Sequence, residues 1–489
     1  MRKLIVAFAI VASSLSGTPA EAAPQRPNII LIVTDDQRWD TVTPEFMPVV
    51  TSRLQTQGVT YTNSFVSNAL CCPSRASTLT GTYSHTTGVY GNKPPFGGFA
   101  SFEDRRTMAT ALTPEYRTLF VGKYLNGYPE RDWEYVPPGW DRWFSVRGGS
   151  FYNYYAADNG HRSGFHDADP ADYSARVLTD EAVKYVRHTD PATPYFLFFA
   201  PVAPHASTNS VPSQRGLPIP DPRDRDRFAG IEPWRPASYG NRDSVEDMPH
   251  YIREQGWNRT LRAKTDRFRR RQLESIYSND REIGRLLDAA ETRDPGLQNT
   301  VVIFTSDNGI LWGEHRWHLK VVPYEESIRV PLIIRYPGGA PVGSDRRIAI
   351  NVDLVPTLLE VAGYDPTTTV TGTDDYRSDG QPIPPEGESL LGGAPRRATV
   401  LEHWGYNPTA PGYCGVRTIE GFMYVRYWDA PRLTYNGEDN GFQELYDVNA
   451  DPLEQTNLAG DPDYDAEQAA LRAETRDLCR PVPPRYSWG

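Results

Sequence analysis

The feature that most limits the fold is a set of short apolar runs with no polar alternation. Asn28 to Thr34 reads Asn-Ile-Ile-Leu-Ile-Val-Thr. A strand with one wet face alternates apolar and polar residues, because successive side chains point to opposite sides. An unbroken run therefore predicts a strand covered on both faces. Tyr195 to Ala200, Asn299 to Thr305 and Val330 to Tyr336 are of the same kind, and Arg117 to Val121 is a shorter one. Helical patterns lie between them. Pro48 to Gln57 reads as a helix stopped by Gly58. Asp266 to Glu291 spaces Leu273, Ile276, Tyr277, Ile283, Leu286 and Leu287 along one face. Strands separated by helices predict the α/β class, with a large, mainly parallel sheet flanked by helices.

Sheets of this kind hold their ligands outside the carboxyl ends of the strands. Asp35-Asp36 directly follows the first run, His205 follows the run ending at Ala200, and Asp307-Asn308 follows the run ending at Thr305. Turn chemistry alone explains one such case. Three at the same kind of end predict a site. Asp35, Asp36, Asp307 and Asn308 offer only oxygen donors, which suit a hard cation, Ca²⁺ ahead of Mg²⁺, and not zinc.

The rest of the chain is organised differently. Tyr364 to Arg396 is rich in Thr, Gly, Pro and Asp and reads as a linker or surface excursion. Ala398 to Glu402, Val416 to Thr418 and Phe422 to Trp428 are short runs typical of antiparallel strands, and a helix is expected from Asp465 to Leu478. The expected divisions are a leader over 1–23, a catalytic domain over 24–363, the excursion over 364–396 and a C-terminal subdomain over 397–489. Arg2 and Lys3 precede an apolar run from Leu4 to Leu15, with Ala20-Glu21-Ala22 behind it. That is the pattern of a secretory signal cleaved near Ala22 or Ala23, and it predicts a secreted or periplasmic protein.

No other run reaches the length of a spanning helix, so a membrane is not an expected partner. The formal net charge of −11 also argues against nucleic acid as a partner. Four cysteines are present. An oxidising compartment permits a bridge between Cys414 and Cys479. Asn258-Arg259-Thr260 matches a glycosylation acceptor, a pattern common by chance.

The most specific segment is Cys71-Cys72-Pro73-Ser74-Arg75, followed by Ala76-Ser77-Thr78-Leu79-Thr80-Gly81. A buried cysteine pair on a helix is its plain reading. The Cys-x-Pro-Ser-Arg pentad with Leu-Thr-Gly resembles the signature of the formylglycine-dependent sulfatases. The resemblance runs from Arg26-Pro27-Asn28 to Glu444-Leu445-Tyr446-Asp447 and Asp451-Pro452-Leu453-Glu454. It implies an alkaline-phosphatase-like fold with a small C-terminal sheet, and hydrolysis of sulfate monoesters.

It further implies that a formylglycine-generating enzyme oxidises Cys71 to an aldehyde, whose hydrate is the nucleophile. One hydroxyl attacks sulfur, and the second releases the sulfate by restoring the aldehyde. By the same resemblance Asp35, Asp36, Asp307 and Asn308 hold one divalent ion that also meets residue 71. Arg75, Lys123 and Lys320 hold the diol and the sulfate, and His205 with Lys320 protonates the departing alcohol.

Many arylsulfatases carry His two residues after the Lys123 position, where this chain has Leu125. Gly122-Lys123-Tyr124-Leu125-Asn126 and Tyr135-Val136-Pro137-Pro138-Gly139-Trp140 are instead similar to the N-acetylglucosamine-6-sulfatase branch. His85, Asn126 and His315 are candidate substrate contacts, and Phe151 to Tyr155 reads either as a sugar cleft or as core. The expected substrates are a sulfated carbohydrate or an aryl sulfate ester. The competing readings are a phosphodiesterase or phosphonate monoester hydrolase of the same superfamily, and an unmodified polysaccharide-binding relative.

Overall fold

The computed structural model describes residues 26–128, 133–208, 215–240, 247–367, 384–393, 395–405, 410–428, 441–484 and 486. The expected leader lies outside these residues, as does the middle of the 364–396 excursion.

In chain order the strands are β1 (Asn28–Thr34), β2 (Val59–Phe65), β3 (Arg117–Lys123), β4 (Arg142–Val146), β5 (Ala156–Asp158), β6 (His161–Arg162), β7 (Tyr195–Ala200) and β8 (Thr300–Ser306). They continue with β9 (Leu311–Trp312), β10 (His318–Leu319), β11 (Leu332–Arg335), β12 (Gly343–Ile350), β13 (Ala398–His403), β14 (Gly412–Thr418), β15 (Phe422–Trp428) and β16 (Gln443–Asp447). A ten-stranded sheet has the order β12-β2-β11-β8-β1-β7-β3-β4-β5-β6. Its centre, β8-β1-β7-β3-β4, is parallel throughout. The strand from the Val330 to Tyr336 run enters as β11, antiparallel to both β8 and β2.

The apolar runs behave as their composition demands. Ile29, Ile30, Leu31 and Ile32 are fully buried, and they serve opposite faces of the sheet. One face packs Ile30 and Ile32 against helices Ser174–His188 and Arg259–Arg293. The other packs Ile29 and Leu31 against helices Cys71–Thr80 and Leu354–Val361. The Arg259–Arg293 helix starts earlier than its apolar stripe, because the Asn258 side chain accepts from the Leu261 amide and caps it. The expected Pro48–Gln57 helix is α-helical only to Arg53, followed by a 3₁₀ turn over Gln55–Gln57.

A separate antiparallel sheet, β13-β14-β15-β16, is covered by the helix Asp465–Leu478. A disulfide joins Cys414 on β14 to Cys479 just past that helix. Phe151 and Tyr154 are core residues, packed in the cluster that contains Tyr173. The sheet edge therefore has no aromatic cleft built from those two rings. Among the described residues no helix is long and apolar enough to cross a membrane.

Candidate functional site

Sheet register brings the polar residues together. Thr34 of β1 lies beside Ser306 of β8. The next residues, Asp35 and Asp307, therefore leave adjacent strand ends. The Asp307 amide donates to the Thr34 carbonyl (3.0 Å), and the Asp36 amide donates to Asp307 Oδ1 (3.1 Å). Asp36 takes a φ of 66°, unusual for a residue with a side chain. It is held there by Gln272, which donates to its carbonyl, and by Asn308, whose Nδ2 donates to Oδ1, both at 2.8 Å.

Lys123 is the last residue of β3, and the glycine before it has a steric cause. Gly122 has a φ of +135°, and a Cβ there would lie 2.0 Å from the Ala200 carbonyl oxygen of the neighbouring strand. Only glycine lets β3 close on β7 and deliver Lys123.

The helix Cys71–Thr80 points its first turn at these strand ends and stops at Gly81 in a left-handed conformation. Cys71 stands at its N-terminus, where unpaired amides favour negative charge. Lys320 Nζ lies 2.7 Å from Cys71 Sγ and 3.2 Å from Asn308 Oδ1, and it also contacts Asp36 Oδ1. Cys71 Sγ is 3.7 Å from Asp35 Oδ1. Lys123 Nζ donates to Asp35 Oδ2 at 2.6 Å. Arg75 divides its fork between Asp307 Oδ2 (2.8 Å) and the Lys123 carbonyl (2.7 Å). His205 donates from Nδ1 to the Ala206 carbonyl at 2.6 Å, which leaves Nε2 facing Asp36 Oδ2 at 3.7 Å.

Burial sharpens every charge here. It pushes the Asp35 carboxyl up, but Lys123, His205 and Arg75 outweigh it and hold the group at about 2. Burial pulls His205 down, while Asp35 and Asp36 raise it to about 9. The neighbouring thiol is different: burial pushes Cys72 up to about 12, and its sulfur accepts from the Asn126 amide. Cys72 is a packing residue, whereas Cys71 faces the cations.

The profile of the family described as Sulfatase matches residues 27–364, more than half of the chain. The chain belongs to the sulfatase family. An arylsulfatase of Volvox carteri is 29% identical over 520 residues, covering 98% of this chain and 77% of that protein. The human N-acetylglucosamine-6-sulfatase is 28% identical over 485 residues, covering 90% and 82%. A solved structure of a protein in complex with its substrate D-glucosamine-2-N,6-O-disulfate superposes with a TM-score of 0.70 at 25% identity, covering 93% of this chain and 97% of that one. The sulfatase is a sulfuric ester hydrolase with an alkaline-phosphatase-like fold.

The residues of this sulfatase fit a divalent ion. Asp36, the Asn308 amide oxygen and Cys71 share the Lys320 ammonium as they would share a metal cation, while Asp307 beside them is held by the Asp36 amide and Arg75. Donor atoms of Asp35, Asp36, Cys71 and His205 all lie within 4.8 Å of one another.

The three candidate substrate contacts have other partners or none among the described residues. His85 Nδ1 pairs with Glu402 Oε2 at 2.8 Å, and Asn126 meets Cys72 through its backbone. His315 is buried against the Tyr324 ring, 4.1 Å between centroids, and burial pulls its imidazole down to about 3. Among the described residues none of these three side chains bonds to Asp35, Asp36, Cys71, Asp307 or Asn308. Sequence reading missed Gln272 and Glu402, because their partners lie 236 and 317 residues away. A cleft of about 1000 Å³ beside Arg117 and Arg142 lies at the amino ends of β3 and β4, away from Cys71.

Proposed function

We propose that this sulfatase is an exported enzyme that hydrolyses a sulfate monoester of a sugar, of the N-acetylglucosamine 6-sulfate class, after a formylglycine-generating enzyme has converted Cys71 to formylglycine. The observation that carries this reading is the placement of Cys71 at a helix N-terminus, 2.7 Å from Lys320 Nζ and beside Asp35, inside a ring of buried cations. The sugar class is supported by the human relative and by the glucosamine disulfate in the structural neighbour.

Asp35, Asp36, Asp307 and Asn308, with residue 71, are the ligands proposed for one Ca²⁺. The hydrated aldehyde with its ion supplies a nucleophilic oxygen toward sulfur and a second hydroxyl that permits release. The chain's own residues do the rest. Arg75, anchored on Asp307, orients residue 71 with a planar fork. Lys123 and Lys320 face the sulfate oxygens and oppose the charge that builds on them. His205 carries a proton on Nε2 toward the leaving oxygen, because Nδ1 is committed to the Ala206 carbonyl. Leu125 is buried and cannot move a proton, so no residue at that position assists sulfate release.

The proposed catalytic domain spans 24–363, and the proposed C-terminal subdomain of 397–489 supports it by bringing Glu402 to His85. The test is a parallel assay with N-acetylglucosamine 6-sulfate, other sulfated sugars, an aryl sulfate, a phosphodiester and a phosphonate monoester. The highest kcat/KM is expected for a 6-O-sulfated sugar. Turnover confined to the aryl ester defeats the sugar class, and preference for either phosphorus ester defeats the sulfate reading.

A further inference from the structure

Behind the candidate site lies a second group of metal-ligand side chains. His315, on the segment between β9 and β10, meets Glu326, in the short helix Glu325–Ile328, and Glu454, in the segment after β16. One donor atom from each lies within 4.8 Å of the other two. Their exposures are 1%, 5% and 1%. His315 Nε2, Glu326 Oε2 and Glu454 Oε1 are buried and have no hydrogen-bond partner among the described residues. Leaving even one buried polar atom unpaired is costly, because it loses its water without gaining a partner. Three that converge on one point call for a shared partner.

The surrounding acids make the contrast plain. Glu314 is paired with Arg38 at 2.6 Å, and Glu325 with Arg417 at 2.8 Å and Arg329 at 3.1 Å. Glu326 and Glu454 form no ion pair among the described residues. The second Glu454 oxygen accepts from the Glu325 amide at 3.0 Å, which aims the free one. The His315 ring is fixed by its stack on Tyr324.

We propose that His315, Glu326 and Glu454 bind a structural divalent ion of the zinc class. One imidazole with two carboxylates is a mixed nitrogen and oxygen set, which transition ions accept and calcium does not favour. The ion differs in kind from the one proposed beside Cys71. It ties three separated segments together. One of them leads directly to Lys320, and another follows the last strand of the small sheet. The site therefore holds the Lys320 segment in place and fastens the two sheets to each other. Its role is positioning, since none of its ligands touches Cys71.

The test uses the intact protein, dialysed without chelator. Metal analysis is expected to find one zinc-class ion per chain. Crystals measured at the corresponding absorption edge are expected to show an anomalous peak about 2.0–2.1 Å from His315 Nε2. Glu454→Gln and His315→Gln are each expected to lower the content of that ion at least tenfold, while the calcium content stays unchanged. The wild-type map decides the matter even if a variant fails to fold. A map without a peak between these residues overturns the proposal, whether the carboxyl groups share a proton or a light ion lies there instead. Neither result bears on Cys71, so failure here leaves the sulfate reading standing.

Discussion

Two adjacent cysteines show how little residue type says without placement. Cys72 is enclosed by the core and its thiol is held protonated, while Cys71, one residue earlier, faces Lys320 and Asp35. The difference comes from helix phase: the first turn of Cys71–Thr80 presents one sulfur to the strand ends and the other to the apolar face. His205 is the residue whose role is most open to kinetics. If Nε2 protonates the leaving oxygen, His205→Gln lowers kcat for a sugar sulfate by roughly 10²–10⁴-fold. An aryl sulfate, whose leaving group needs no proton, loses much less. Steady-state kinetics on both esters checks this, and equal losses would remove His205 from the acid role.

At the scale of elements, β1, β7, β8 and the long helix were legible because burial on both faces erases alternation and a helical stripe repeats at 3.6 residues. β2, β4 and β12 were not. Val59-Thr-Tyr-Thr-Asn and Gly343-Ser-Asp-Arg-Arg mix polar residues into strands near the sheet edge, where solvent reaches one face. The site residues on strand ends were legible for the same reason as their strands. Their supports, Gln272 and Glu402, were not, because nothing local marks a side chain whose partner is on another element.

The Glu402–His85 pair joins β13 to the segment after the Cys71 helix, and it makes a pH prediction. Burial pulls His85 down, but Glu402 outweighs it and raises the imidazole above its ordinary 6.5. A raised histidine stabilises the fold fully below its unfolded value. That contribution fades as pH rises through the folded value. Thermal melts from about pH 6 upward are expected to decline for the wild type and to be flatter for Glu402→Gln. A parallel decline in both would remove the pair as the cause. The disulfide spans 65 residues, and its removal by Cys414→Ser with Cys479→Ser is expected to cost about 2–4 kcal/mol, read as a lower denaturant midpoint. An unchanged midpoint would show that the small sheet holds its helix without the link.

For the whole molecule the controlling fact is charge. The chain carries a formal net charge of −11, yet its buried site gathers Arg75, Lys123, Lys320 and His205 around three carboxylates. Attraction for an anionic ester is thus confined to one place on an acidic surface. The divalent ion proposed for these carboxylates would add positive charge at the same place. Removing metal with a chelator is expected to abolish turnover and lower stability, by about 2.7 kcal/mol relative to an ion supplied at a hundred times its dissociation constant. Activity should return when Ca²⁺ and the zinc-class ion are restored together and not with the zinc-class ion alone, and full activity after exhaustive chelation would contradict the ion.

The proposed hydrolysis requires residue 71 to act as an aldehyde and not as a thiol. Its most direct test is the mass spectrum of the tryptic peptide Leu54–Arg75 from fully active protein. The expected mass places formylglycine at position 71 and an intact thiol at Cys72. Two unmodified thiols in a preparation with full sulfatase turnover would contradict it.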